Sequence, residues 1–174
     1  MWKYIVSFIL IIIGLFLVKS IDFKKRFNFY QNRLNGTNTK LKDSLVKKYD
    51  LLLKQIKLLK NKKKLKESDF ESFLDINKKE IDIIKLDEEI KTNENKLNII
   101  LQNNNKLVKD NNIRKNINDL EKIAVTITAL KKYYNSVVIK YNHYVNKFPS
   151  KYVAKLNKYN KIDEYIIVNE KEKS

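Results

Sequence analysis

Residues Tyr4 to Val18 form one uncharged apolar run in a chain that is otherwise crowded with charge. A stretch of that kind has to leave water, and everything else the chain can fold into is constrained by it. The run holds Ile5, Val6, Phe8 to Ile13 and Leu15 to Val18, with only Ser7 and Gly14 between them. As a helix it covers about 22 Å, less than the roughly 30 Å hydrocarbon core of a bilayer, but Lys3 and Lys19 can snorkel and Ile21 and Phe23 extend it. A transmembrane anchor is therefore expected over residues 1–21, with Tyr4, Ile9, Ile12, Leu15 and Val18 among its anchoring residues. Trp2 and Tyr4 stand where interfacial aromatics belong.

A cleaved signal peptide is the rival reading, because Lys3 before an apolar stretch also fits one. The following residues, Val18-Lys19-Ser20-Ile21-Asp22, offer no small-x-small cleavage site, and a chain without cysteine cannot take a lipoprotein anchor. Retention is the expectation. One lysine precedes the run, whereas Lys19, Lys24, Lys25, Arg26 and Arg33 follow it, so the positive-inside bias places the rest of the chain in the cytoplasm.

Two glycines and one proline in 174 residues leave too few turn formers for a hairpin-rich β fold. The class expected is all-α. Absence of cysteine removes disulfides and thiolate chemistry together. The formal net charge of +17 first suggests nucleic acid, yet the lysines are spread along the chain among acids, isoleucines and asparagines, as an AT-rich coding sequence would give. A functional reading of the same charge is attraction to anionic headgroups beside the anchor.

The clearest periodicity runs from Ile113 to Phe148, where Leu120, Ile123, Ile127, Leu130, Tyr134, Val137, Tyr141, Tyr144 and Phe148 alternate spacings of three and four. It predicts one long helix, capped by Asp110, Asn111 or Asn112 and stopped by Pro149. A second stripe, Phe27, Tyr30, Leu34, Leu41, Leu45, Tyr49, Leu52, Ile56 and Leu59, predicts that the anchor helix continues into the domain, kinked near Gly36 and closed by Lys62, Lys63 and Lys64. Between them, Ser68 and Glu71 fit a capping box for a helix from about Asp69, with Phe70, Phe73, Leu74, Ile81, Ile84 and Ile90 apolar and a break at Thr92 or Asn93. A short helix with Leu97, Ile100, Leu101, Leu107 and Val108 would follow. Long amphipathic helices on short connections pack as an antiparallel bundle, expected over residues 22–160. The tail, 161–174, is expected to be partly disordered, with Tyr165, Ile166, Ile167 and Val168 as a docking segment.

Catalytic constellations fail for want of parts. His143 is the single histidine, so paired-histidine and histidine-cysteine metal sites cannot be built, and two glycines cannot make a phosphate-cradling loop. Asp87, Glu88 and Glu89 are neighbours that point in different directions on a helix, which suits a solvated face. No catalytic residue, metal ligand or cofactor is expected, and the chain is read as a non-enzyme.

The segment Tyr134-Asn135, Val138, Tyr141-Asn142, Val145, Phe148-Pro149-Ser150 doubles a Tyr-Asn pair seven residues apart and closes on Phe-Pro-Ser. It resembles the C-terminal signature of the LemA family of bacterial membrane proteins. Val153, Ala154, Leu156 and Tyr159 continue in register, and Lys131 stands where the family usually has arginine. Leu41, Leu45, Lys48-Tyr49-Asp50-Leu51-Leu52 and Ile56 look like the family's Arg-Tyr-Asp-Leu-Ile block. Departures are Leu53 for a usual proline, Lys158 for a glycine before the late aromatic, and Ala124 for a common glutamate. The resemblance implies a single-pass protein with a short outer N-terminus and a cytoplasmic helical bundle, and no defined reaction.

Both tyrosines of the doubled pair are also expected in the helix core, with Asn135 and Asn142 beside them bonding across helices. The function expected is that of a membrane-anchored scaffold or adaptor that meets the lipid bilayer, an unidentified protein partner and, in some settings, a second copy of itself. The alternative is a tethered basic protein that binds nucleic acid or another anionic surface, less favoured for lack of a recognisable nucleic-acid motif.

Overall fold

A computed structural model describes residues 1–62, 65, 67–78 and 80–166. Its helices are α1 (Trp2–Asn61), α2 (Glu71–Leu74), α3 (Ile83–Gln102), α4 (Asn105–Val108), α5 (Asn111–Asn146) and α6 (Ser150–Leu156), with a 3-10 turn at Glu67–Phe70. Among the described residues there is no strand, so the fold is all-α. The chain divides into two compact units. One is built from Met1–Asn38 and Lys131–Ser174, the other from Thr39–Leu130.

The two sequence stripes account for α1 and α5. Phe27, Leu34, Leu41, Leu45, Tyr49, Leu52, Ile56 and Leu59 of α1 are buried, as are Leu120, Ile127, Tyr134, Val137 and Tyr141 of α5. The 60 residues of α1 pass Gly36 without interruption. The pair runs antiparallel within each unit. In the second, Lys62 pairs with Asp110 and Leu51 with Asn116; in the first, Tyr134 clusters with Leu34 and Tyr141 with Phe27. Asp110 caps α5 as expected, its carboxylate accepting from the N–H groups of Asn112 and Ile113 at 2.9 and 3.3 Å. Those bonds and the one from Lys62 hold its carboxyl below the usual range, the lysine bond being the largest cause. Phe148, assigned to the core stripe, is instead exposed, because α5 ends at Asn146 and the chain turns at Lys147–Pro149.

The middle of the chain departs from its sequence pattern in three places, one being that the short helix expected with Leu97, Ile100, Leu101, Leu107 and Val108 is divided, the first three residues closing α3 and the last two lying on α4. Among the described residues no single helix runs from Asp69 to Lys91: the 3-10 turn and α2 are followed by a segment in which the Asn77 carbonyl accepts from Glu80 and Ile81. Ser68 is not the cap. The side chain of Asp82 is, accepting from the N–H of Ile84 at 2.9 Å to start α3. Nor is there a break at Thr92 or Asn93. Asn93 lies on the buried stripe Leu86, Ile90, Asn93, Leu97, Leu101, and its amide donates back to the Glu89 carbonyl at 2.8 Å, so the residue that looks like a breaker is accommodated inside the helix. Lys63, Lys64, Ile167 and Val168 lie outside the described residues.

Candidate functional site

Four consecutive residues of α1, Lys48 to Leu51, organise the second unit. Successive helical side chains are rotated by about 100°, so those of Lys48, Tyr49 and Asp50 reach in three directions, and Leu51 adds a link through its backbone carbonyl. Lys48 donates to the Glu94 carboxylate on α3 at 2.6 Å, in a pair largely withdrawn from water. The Tyr49 hydroxyl donates to the Phe73 carbonyl on α2 at 2.8 Å, with the rings 4.7 Å apart. Asp50 accepts from Lys78 at 2.7 Å, and the Leu51 carbonyl accepts from the Asn116 amide of α5 at 3.0 Å. Burial pushes the Tyr49 hydroxyl above its ordinary value, partly offset by Lys78. The hydrogen bond to Asp50 raises the Lys78 ammonium. Asn116 also donates to Gln55 Oε1 at 2.7 Å, leaving its own Oδ1 and Gln55 Nε2 buried without a partner among the described residues.

The doubled Tyr-Asn pair organises the first unit in a different way. Tyr141 and Tyr134 are buried against Phe27 and Leu34. Burial raises both hydroxyls, while hydrogen bonds with Gln31 and Asn38 respectively act in the opposite sense. Among the described residues the asparagines bond to the chain that follows α6 and not across helices. Asn142 donates to the Ile162 carbonyl at 2.8 Å and accepts the Ile162 N–H at 3.0 Å; Asn135 does the same with Tyr165, both at 2.8 Å. A side-chain amide carries a donor and an acceptor spaced as in a peptide group, so each asparagine completes a paired contact with an extended backbone residue. The spacing fits. Seven residues of α5 advance about 10.5 Å and three extended residues about 10 Å, so both contacts are in register along one segment.

Aromatic contacts complete the seam. Tyr159 stacks on Phe27 at 4.5 Å and Tyr165 lies 4.7 Å from Tyr134. The Tyr159 and Tyr165 hydroxyls donate to Asn28 and Asn38. Val138 is fully buried in the same cluster as Tyr134. Ser150, also buried, donates to the carbonyls of Tyr144 and Lys147 and fixes the turn that Phe148 and Pro149 begin. After α6 the backbone closes with the Tyr159 N–H on the Ala154 carbonyl and the Lys158 N–H on that of Lys155. Lys158 takes φ 57° there, the left-handed conformation that glycine adopts without strain.

Tyr4, Ile9, Ile12, Leu15 and Val18 are all exposed. α1 is the one helix among the described residues long and apolar enough to cross a membrane. His143 is exposed beside Tyr144, and Asp87 pairs with Lys91. No group of three or more histidine, aspartate or glutamate residues able to hold a metal occurs among the described residues. Sequence reasoning missed the buried amides Gln55, Asn93 and Asn116; their place on apolar stripes was the available signal. The model of the LemA family matches residues 37–174. No curated protein and no solved structure matches the chain.

Proposed function

The chain belongs to the LemA family, and from that premise we propose that it is a membrane-anchored helical scaffold, without enzymatic activity, whose bundle offers its surface to a protein partner on the cytoplasmic side. One observation carries the reading: the exposed apolar run and the buried stripe of the domain share a single unbroken helix. A helix that enters lipid at one end and supplies core residues at the other makes the anchor part of the domain's own framework. Both motif blocks support a scaffold as well, since their side chains are occupied with packing and internal hydrogen bonds. The excess of cations after Val18 supports the orientation.

Alkaline carbonate washing should leave the full-length chain in the membrane, while deletion through Val18 releases it. A mature N-terminus near Ile21 would overturn the anchor. A reporter fused after Ser174 should work only if it is one that is active in the cytoplasm; labelling of a cysteine placed there, from outside intact cells, would reverse the topology. Pulldown at low and moderate salt separates a specific protein partner, retained at both, from anionic polymers held by charge alone, lost as salt rises.

A further inference from the structure

We propose that the turn at Phe148 and the outer face of α6 form a second membrane contact, lying in the anionic headgroup layer of the same bilayer that α1 enters. This rests on the anchor reading above. α6 is amphipathic in an unusual sense. Its inner side, Ser150, Val153 and Ala154, is buried, yet its outer side is itself apolar and basic. Phe148 is 69 % exposed, Tyr152 48 % and Leu156 78 %; Tyr152 and Leu156, four apart on α6, share one side. Lys147, Lys151 and Lys155 are interleaved with them. Phe148 and Tyr152 meet edge to face at 6.0 Å, and the Lys151 ammonium lies 5.2 Å from the Tyr152 ring.

Position decides what covers this face. Val153 and Ala154 belong to the cluster of Phe27 and Tyr141, against which Phe16 and Phe23 also pack; α6 is thus fixed beside the segment of α1 from the last turn of the apolar run to Phe27. Along α1, Val18 lies about 13 Å from Phe27, and along the antiparallel α5, Asn146 lies about 7 Å beyond Tyr141 in the same direction. The Phe148 turn projects further still, to within a few ångströms of the level where the anchor leaves the hydrocarbon core, by the same helical rise. Exposed aromatic and aliphatic side chains among lysines are what an interfacial element presents, the rings at the headgroup boundary and the ammonium groups on lipid phosphates. Lys19, Lys24 and Lys25 lie at the same level of α1 and add to the positive potential.

The chain has no cysteine of its own, so single cysteines can be placed at 148, 152 and 156, with Ile139, exposed on α5 further from the anchor, as the control position. The full-length chain, labelled there with an environment-sensitive fluorophore, is reconstituted into phosphatidylcholine vesicles with or without phosphatidylglycerol and spin-labelled lipid. Labels at 148, 152 and 156 should shift to the blue and be quenched by the spin-labelled lipid, more strongly with phosphatidylglycerol, and the label at 139 should do neither. Combined Lys147→Glu, Lys151→Glu and Lys155→Glu should abolish the quenching at 152 while the protein still floats with the vesicles. Unquenched, water-exposed labels on a floating protein overturn the proposal and leave the anchor intact. A blue shift without lipid quenching also overturns it, in favour of a second protein copy on this face. A chain that fails to float overturns the anchor and this inference together.

Discussion

The block Lys48 to Leu51 and the pairs Tyr134-Asn135 and Tyr141-Asn142 make opposite use of helical geometry. Consecutive side chains fan outward, so the first block ties α1 to α3, α2 and the turn at Lys78 through Lys48, Tyr49 and Asp50, with the Leu51 carbonyl adding a bond to α5. Residues seven apart line up, so the second sets two identical contacts along one seam and grips a single segment twice. A fan fixes one helix among many neighbours by independent links; a rail holds one neighbour by repetition, and each contact helps to form the next.

That difference can be broken most sharply at Tyr141. Replacement by alanine should cost about 3 to 5 kcal/mol in a thermal melt, because it empties a buried ring site between Phe27 and the tail. A variant that melts like the parent yet loses a partner in a pulldown would make the rail a binding surface. Alkali should act on fan and rail alike. Tyr49, Tyr134 and Tyr141 have hydroxyl pKa values raised on folding, so the folded state keeps protons that the unfolded chain releases. Their contribution is complete below about pH 10 and is lost as pH rises through the folded values. Melting temperature should fall above that pH, and Tyr49→Phe should soften the fall.

Next in size are the asparagines. Asn135→Ala and Asn142→Ala should each cost about 1 to 3 kcal/mol, and the double variant less than their sum, since losing one contact loosens the segment the other holds. Amide hydrogen exchange at Ile162 and Tyr165 would follow it directly, and strict additivity would reduce the rail to two unrelated bonds. Lys158→Gly should work in the other direction, stabilising by about 1 kcal/mol by relieving the left-handed backbone while leaving the closing bonds of α6 in place. The smallest change is expected for Asp50→Asn, on the most exposed arm of the fan, within the scatter of a melt and additive with Asn142→Ala.

Much of this was legible in the sequence. The spacing of Phe27 to Leu59 and of Leu120 to Tyr144 foretold α1 and α5, because a helix with one buried side has to repeat its apolar residues at that period. Leu53 and Lys158, where the family usually has proline and glycine, left the plan intact: α1 simply runs through Leu53, and Lys158 tolerates a strained backbone. Asn93 misled because a polar residue on a core stripe looks like an interruption until its bond to Glu89 is known. Tyr165 lies in the segment expected to dock, but the place of Ile162 and the way both residues are held were hidden for a deeper reason. Both asparagines read the backbone, and backbone recognition leaves little imprint on side-chain pattern.

The contact between Tyr159 and Asn28 joins residues 131 positions apart, whereas Tyr49 reaches Phe73 across 24 and Gln55 reaches Asn116 across 61. Order of synthesis therefore separates the two units in time. The unit of residues 39–130 can assemble from contiguous chain as it emerges. Phe27, Tyr30 and Leu34 must wait for Tyr134, Tyr141 and Tyr159, an interval on the order of ten seconds at about 5 to 20 residues per second. Throughout it the apolar side of α1 from Phe27 to Leu34 stands uncovered, open to any chaperone that recognises nascent helices.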